Sequence, residues 1–211
     1  LTEALSKVQS GDNIFLAPGT YASNITLTTD NISIYGNNSW KDVRSGKRDT
    51  SNESIITGTI TVNANGITLN GLKFTGAGRV VNTTAANGSP IKNISLKYHL
   101  VEASTLNNTT AVFSFGKVYS NTDAKANLSQ LRYENITISH NDFNGSKATN
   151  FCPFIIIGGG YGNITIHDNK FTDGGNSIEV GNSHGNIKIT NNKFDEVGKS
   201  LFNASAATNA R

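Results

Sequence analysis

The chain has 211 residues, enough for one sizeable domain, and no shift in composition marks a second. Its 18 basic and 15 acidic residues leave a net charge of +3, scattered without runs of like sign, which argues against nucleic acid as a partner. No stretch approaches the roughly 18 apolar residues of a membrane-spanning helix. The lone Cys152, in FCPFIII, leaves no internal disulfide framework and reads as a small buried hydrophobe.

Apolar residues make up 36% and charged residues 16%, so Asn, Thr, Ser and 21 Gly fill the remainder, which is a turn-rich β composition. The chain opens with LTEALSKVQSGD, which places Leu1, Ala4, Leu5 and Val8 on one face of a short helix ending at Gly11. Such a helix can plug the open end of a solenoid. Short strand candidates follow at NIFL (13 to 16), NITL (24 to 27), NISI (31 to 34) and SIIT (54 to 57), and then AVFSF (111 to 115), FIII (154 to 157), SIEV (177 to 180) and SLFN (200 to 203). Two polar, irregular stretches, 36 to 53 and 116 to 134, interrupt the pattern as insertions at turns, where solenoids often build binding surfaces.

A nonapeptide recurs between these strands: GITLNGLKF (66 to 74), NITISHNDF (135 to 143), NITIHDNKF (163 to 171) and NIKITNNKF (186 to 194), with NISLKYHLV (93 to 101) as a weaker copy. Its spacing matches one coil of a three-sided β-solenoid. The expected fold is therefore all-β, a right-handed parallel β-helix with a short N-terminal capping helix, covering residues 1–211 as one domain. Because SLFNASAATNAR stops where another coil ought to begin, a C-terminal truncation, further coils beyond Arg211 or self-stacking is expected.

Within each copy the two-residue period sends Ile136, Ile138, Ile164, Ile166, Ile187 and Ile189 inward, and Thr137, Thr165 and Lys188 outward. Asn141, Asn169 and Asn192 share one position at the bend, where their amides are expected to bond above and below as an internal ladder.

The opening ALSKVQSGDNIFLAPGTYASNITL, with its GD-x-I-x-L-x-x-G-T-Y element (11 to 21), followed by ISIYG, SIITG and ITLNGLKFTG, resembles the start of the pectate lyase-like superfamily of parallel β-helices. Within it, DGGNSIEVGNSHGNIKITNNKFDEVGKS (173 to 200) is most similar to the chondroitinase B and alginate lyase group. That resemblance implies a calcium-assisted lyase. Its metal, held by an Asn and a G-E-x-E pair, masks a uronate carboxylate so that a Lys and an Arg can carry out β-elimination. Gly198 matches the family glycine, but Lys199 and Leu201 stand where the Glu ligands belong, Ala206 falls near the Lys, Asp173 takes roughly the place of the Asn, and the Arg segment is absent. Calcium is thus implied only by the resemblance; no catalytic residue, metal or other cofactor is assigned.

Sugars present apolar C–H faces that stack on rings, which makes Trp40, Tyr98, Tyr119, Tyr133 and Tyr161 the candidate carbohydrate-binding set, Trp40 lying in the polar insertion 36 to 53. His140, His167 and His184 recur near strand ends with Asp142, Asp168 and Glu179, an arrangement that reads as a solvated face of stacked polar residues, and Glu179 is expected to pair with Lys188 on the next coil. Many Asn residues, among them Asn24, Asn31, Asn93, Asn135 and Asn163, precede x-Ser/Thr, a pattern that allows glycosylation but also falls out of the strand repeat.

The function expected from the sequence is non-catalytic: a secreted or cell-surface β-helix with a polysaccharide or glycan as partner, in an adhesive or structural role. The alternatives are a polysaccharide lyase acting on alginate, pectate or chondroitin, and a stacking subunit of a filament or virus particle.

Overall fold

The computed structural model describes residues 1–82, 85, 89–103, 111–116, 131–145, 153–158, 160–173, 176–181, 185–195 and 200–205. Within them, strands follow one another from β1 (Asn13–Phe15), β2 (Gly19–Tyr21) and β3 (Ile25–Leu27) to β21 (Ser200–Ser205), and every third strand joins the same sheet. All pairings are parallel, so each set of three strands forms one coil of a right-handed, three-sided parallel β-helix with sheets of seven strands.

The two-residue side-chain period explains why the coils close. In the first sheet β13 (Tyr133–Ser139) lies in register with β16 (Tyr161–His167), and β16 with β19 (Ile187–Thr190), so that Ile136, Ile164 and Ile187 form one inward column and Ile138, Ile166 and Ile189 another. Ile136, Ile138, Ile164 and Ile166 are buried, and Ile187 and Ile189 on the last strand of the sheet are half-buried. Each fully buried isoleucine contributes about 1.5–3 kcal/mol, and the same residue type repeats along the column from coil to coil.

The second sheet stacks the closing phenylalanines of the repeat. Phe143 and Phe171 lie 4.8 Å apart between ring centroids at 3°, and Phe171 and Phe194 lie 5.0 Å apart at 9°. The third sheet lines up Ile60, Val80, Phe113, Ile155 and Ile178.

The N-terminal helix is shorter than expected, Thr2–Leu5 rather than reaching Gly11, and it has no side-chain cap. So short a helix is held by packing rather than by propensity. Leu1, Leu5 and Val8 rest on the apolar core at the first coil. Among the described residues no helix is long and apolar enough to cross a membrane.

Of the two irregular stretches, residues 36 to 53 carry only a 3-10 turn, Val43–Ser45. The second begins to wind again earlier than expected, since Tyr133 and Glu134 already belong to β13. Residues 117–130 of it, like Cys152, lie outside the described residues.

One expected pairing is not formed. Glu179 sits in the third sheet, in register with Ile156, whereas Lys188 sits in the first, in register with Thr165. The two are near in sequence because a coil is short, but they face different sides of the solenoid.

Candidate functional site

The corner between the first and second sheets organises the most distinctive chemistry. Each copy of the repeat turns there in two residues. The first takes a left-handed backbone: Gly71 (φ 71°), Tyr98 (φ 59°), His140 (φ 58°), Asp168 (φ 56°) and Asn191 (φ 53°). Asn, Asp and His tolerate this region better than other side chains. The second residue of each turn points inward, and the first projects outward, so the bend generates an internal and an external column.

The internal column is a hydrogen-bonded ladder. Asn192 Oδ1 accepts from the Asn169 backbone N–H at 2.9 Å, Asn169 Oδ1 from Asn141 N–H at 3.0 Å, and Asn141 Oδ1 from His99 N–H at 2.8 Å. Each amide nitrogen donates in turn to a strand carbonyl: Asn141 to Leu96, Asn169 to Ile138, and Asn192 to Ile166.

His99 extends the ladder by one rung that the sequence reading did not include. Its Nδ1 accepts from Leu72 N–H at 3.1 Å, and its Nε2 is buried with the Leu69 carbonyl as its neighbour but no hydrogen bond of normal geometry. Burial, and then the charge of Arg48, push this imidazole down to a pKa of about 3, so it is neutral.

The insertion 36 to 53 is pinned over this corner. Arg48 and Glu53, both with side chains 2% exposed, form a two-pronged pair at 2.7 Å on each prong. Arg48 also donates to the carbonyls of Tyr98 at 2.6 Å and Leu72 at 3.1 Å. A buried arginine thus reads the backbone of two successive coils. At Gly71 the approach is so close that a Cβ would collide with the backbone of Ser39, and only glycine fits.

Pinning the insertion sets an aromatic platform. Phe15 and Tyr35 occupy equivalent outward positions on β1 and β4 (Ser33–Tyr35) and stack at 5.1 Å. The next equivalent position is Asn70, whose Oδ1 accepts from the Trp40 backbone N–H at 3.0 Å; Trp40 swings in to stack on Tyr35 at 4.9 Å. Phe15 is 70% exposed and Trp40 61%, and with Leu16, Pro18, Asn37 and Ser39 they line an open groove.

Among the described residues singled out as aromatic candidates from sequence, Trp40 stands in this platform. Tyr98 is half-buried on the external column and stacks on His140 at 4.9 Å. Tyr133 is a correction: it is fully buried, its hydroxyl donating to the Asn82 carbonyl at 2.9 Å, because it opens a strand with an inward-facing residue and no sugar can reach it there. The Tyr161 backbone pairs with Tyr133 on the next coil. Tyr119 lies outside the described residues. Phe15 and Tyr35 were missed, although their shared position before the bend in successive strands was readable.

Farther along the same corner, the external column brings His140 and Asp168 beside His167, the last residue of β16. Their donor atoms all lie within 4.8 Å of one another. His167 Nδ1 is 2.6 Å from Asp168 Oδ2, and Asn191 Nδ2 donates to Asp168 Oδ1. The hydrogen bond with His167 chiefly holds the Asp168 carboxyl below the usual carboxylate range, while burial pushes the His140 imidazole down. Arg44, gripped by Asp42 at 3.0 Å, stands 4.0 Å from Asp168.

The other members of that set lie elsewhere. Asp142 is on the second sheet, in register with Lys170, and Glu179 is on the third, while His184 lies outside the described residues. Asp173, at the position implied for a calcium ligand, is an exposed left-handed turn residue (φ 53°); Gly198, Lys199 and Ala206 fall outside the described residues, and Leu201 lies within β21.

A second ladder runs along the start of the first sheet, on the outside. Asn163 donates to Asn135 at 3.3 Å and Asn135 to Asn93 at 3.1 Å, all three with positive φ. The N-I-T and N-I-S pattern therefore has a structural use at these positions. Comparison of the chain with protein-family models, curated proteins and solved structures returned no match.

Proposed function

We propose that this protein is a non-catalytic polysaccharide-binding β-helix of the cell exterior, adhesive or structural in role, and that Phe15, Tyr35 and Trp40 form its sugar platform. The observation that carries the reading is the stack of three rings on one corner, with Phe15 and Trp40 mostly exposed. Pyranose rings present flat C–H faces that stack on aromatic rings, and polar neighbours such as Asn37 and Ser39 offer donors and acceptors for hydroxyl groups. The resemblance of the GD-x-I-x-L-x-x-G-T-Y element to the pectate lyase-like superfamily favours a polysaccharide partner. The replacement of the lyase group's acidic ligands by Lys199 and Leu201 favours binding without cleavage.

The test is an array of neutral and uronate-containing glycans probed with the wild type, Trp40→Ala and Phe15→Ala, with calorimetric titration of any hit in all three proteins and, in the wild type, emission of Trp40, the only tryptophan. Saturable binding with a shift in emission, weakened about tenfold or more by Trp40→Ala, is expected, since one good stacking contact is worth ~1.4 kcal/mol. Absence of any glycan hit, or undiminished binding by both variants, overturns the reading. Release of unsaturated product from a uronate polymer overturns its non-catalytic part.

A further inference from the structure

The external column of the corner turns, together with the end of β16, places two imidazoles and a carboxylate from adjacent coils side by side, and this arrangement does not depend on the sugar platform. His140 comes from one coil and His167 and Asp168 from the next; all three are half-buried, with donor atoms within 4.8 Å. The His140 and His167 rings meet edge to face at 5.6 Å. His140 Nδ1 is buried and, among the described residues, has no hydrogen-bond partner. A buried polar atom left unpaired is uncommon in a folded protein and points to an absent partner.

We propose that His140, His167 and Asp168 bind one divalent first-row transition ion of the zinc class, through one nitrogen of each imidazole and one oxygen of the carboxylate. Two nitrogens and one oxygen suit zinc, nickel or copper rather than calcium or magnesium, which prefer oxygen alone. Bonds of about 2.0–2.2 Å put neighbouring donors roughly 3.4 Å apart, so the more distant donors close by about 1 Å and the His167 Nδ1–Asp168 Oδ2 pair, 2.6 Å apart, opens, movements within reach of side-chain rotation. Water completes the coordination on the solvent side.

The surroundings provide the supports such a site needs. Asn191 donates to the second carboxylate oxygen of Asp168 and fixes its orientation, and Tyr98 stacks on His140 and fixes the ring. Arg44 is the opposing feature, a cation 4.0 Å from Asp168, and Asp42 offsets its charge through a two-pronged contact.

The experiment is calorimetric titration of the chelator-stripped 211-residue protein with zinc chloride, alongside cobalt(II), whose visible absorption reports imidazole coordination. The variants are His140→Asn, which retains a residue tolerant of φ 58° as at Asn191, and His167→Gln, with His184→Ala and Arg44→Ala as controls. One ion per chain is expected in the wild type and in His184→Ala, with affinity about tenfold or more lower in His140→Asn and in His167→Gln. Arg44→Ala is expected to bind at least as tightly as the wild type, because a repelling charge is gone. His99 is buried in the ladder and does not compete. No stoichiometric binding by the wild type, or equal affinity in both ligand variants while circular dichroism shows each folded, overturns the proposal.

Discussion

Replacing His99 by Asn tests the reading of the corner ladder. In the fold the imidazole is neutral, its pKa pushed down to about 3 by burial first and the Arg48 charge second; in the unfolded chain it titrates near 6.5. The unfolded state therefore takes up the proton first as pH falls. The stability that rests on a neutral His99 is complete above about pH 6.5 and is lost progressively toward pH 3. At ~1.4 kcal/mol per pH unit, acidification from pH 7 to about 5 removes roughly 2 kcal/mol through this one group. Asparagine does not titrate, and its amide can accept from Leu72 N–H and donate toward the Leu69 carbonyl as its counterparts do at Asn141 and Asn169. The variant loses the ring that packs against Phe74 and Phe113 at 5.2 and 5.8 Å, at a cost on the order of 1–3 kcal/mol at any pH. The informative quantity is thus the difference between the two pH values. Urea unfolding followed by circular dichroism at pH 7 and pH 5 should show the wild type losing about 2 kcal/mol more than His99→Asn. Parallel losses in the two proteins would refute the assignment of His99 as a buried neutral rung.

Arg48→Met removes the buried guanidinium, strands the Glu53 carboxylate and frees two corner-turn carbonyls; loss of about 3–5 kcal/mol is expected, read as an earlier urea transition in Trp40 fluorescence, and a change below ~1 kcal/mol would contradict it. Glu179, half-buried on the third sheet, has its carboxyl pushed above the ordinary value by burial, so its charged form is disfavoured as pH rises through that range. Glu179→Gln should consequently raise the melting temperature at pH 7 and have no such benefit near pH 4; no gain at neutral pH would count against the burial argument. Phe171→Ala, taking out the middle ring between Phe143 and Phe194, should cost about 3–5 kcal/mol in chemical unfolding, whereas a surface-like effect would mean the rings are not stacked.

The repeated nonapeptide carried the winding in plain view. A period of two with Ile at alternate positions and Phe at the close admits only an inward column and a bend, and the recurrence of Asn141, Asn169 and Asn192 at the bend showed which residue would turn inside. These are local rules repeated in every coil, so sequence by itself determined the fold class, the three-strand coil and the buried ladder.

What each outward residue meets was a different matter, because it depends on distances along the solenoid axis rather than along the chain. His140 and Asp168 become neighbours when coils stack, and Trp40 meets Tyr35 after the insertion folds back onto the corner. The same geometry separates Glu179 from Lys188, which a reading by sequence proximity joins. Arg48 finds Glu53, Leu72 and Tyr98 through a polar stretch that has no periodicity to read. Tertiary structure alone decided these contacts, since parallel stacking at ~4.8 Å per coil brings into contact residues that lie a whole turn of chain apart.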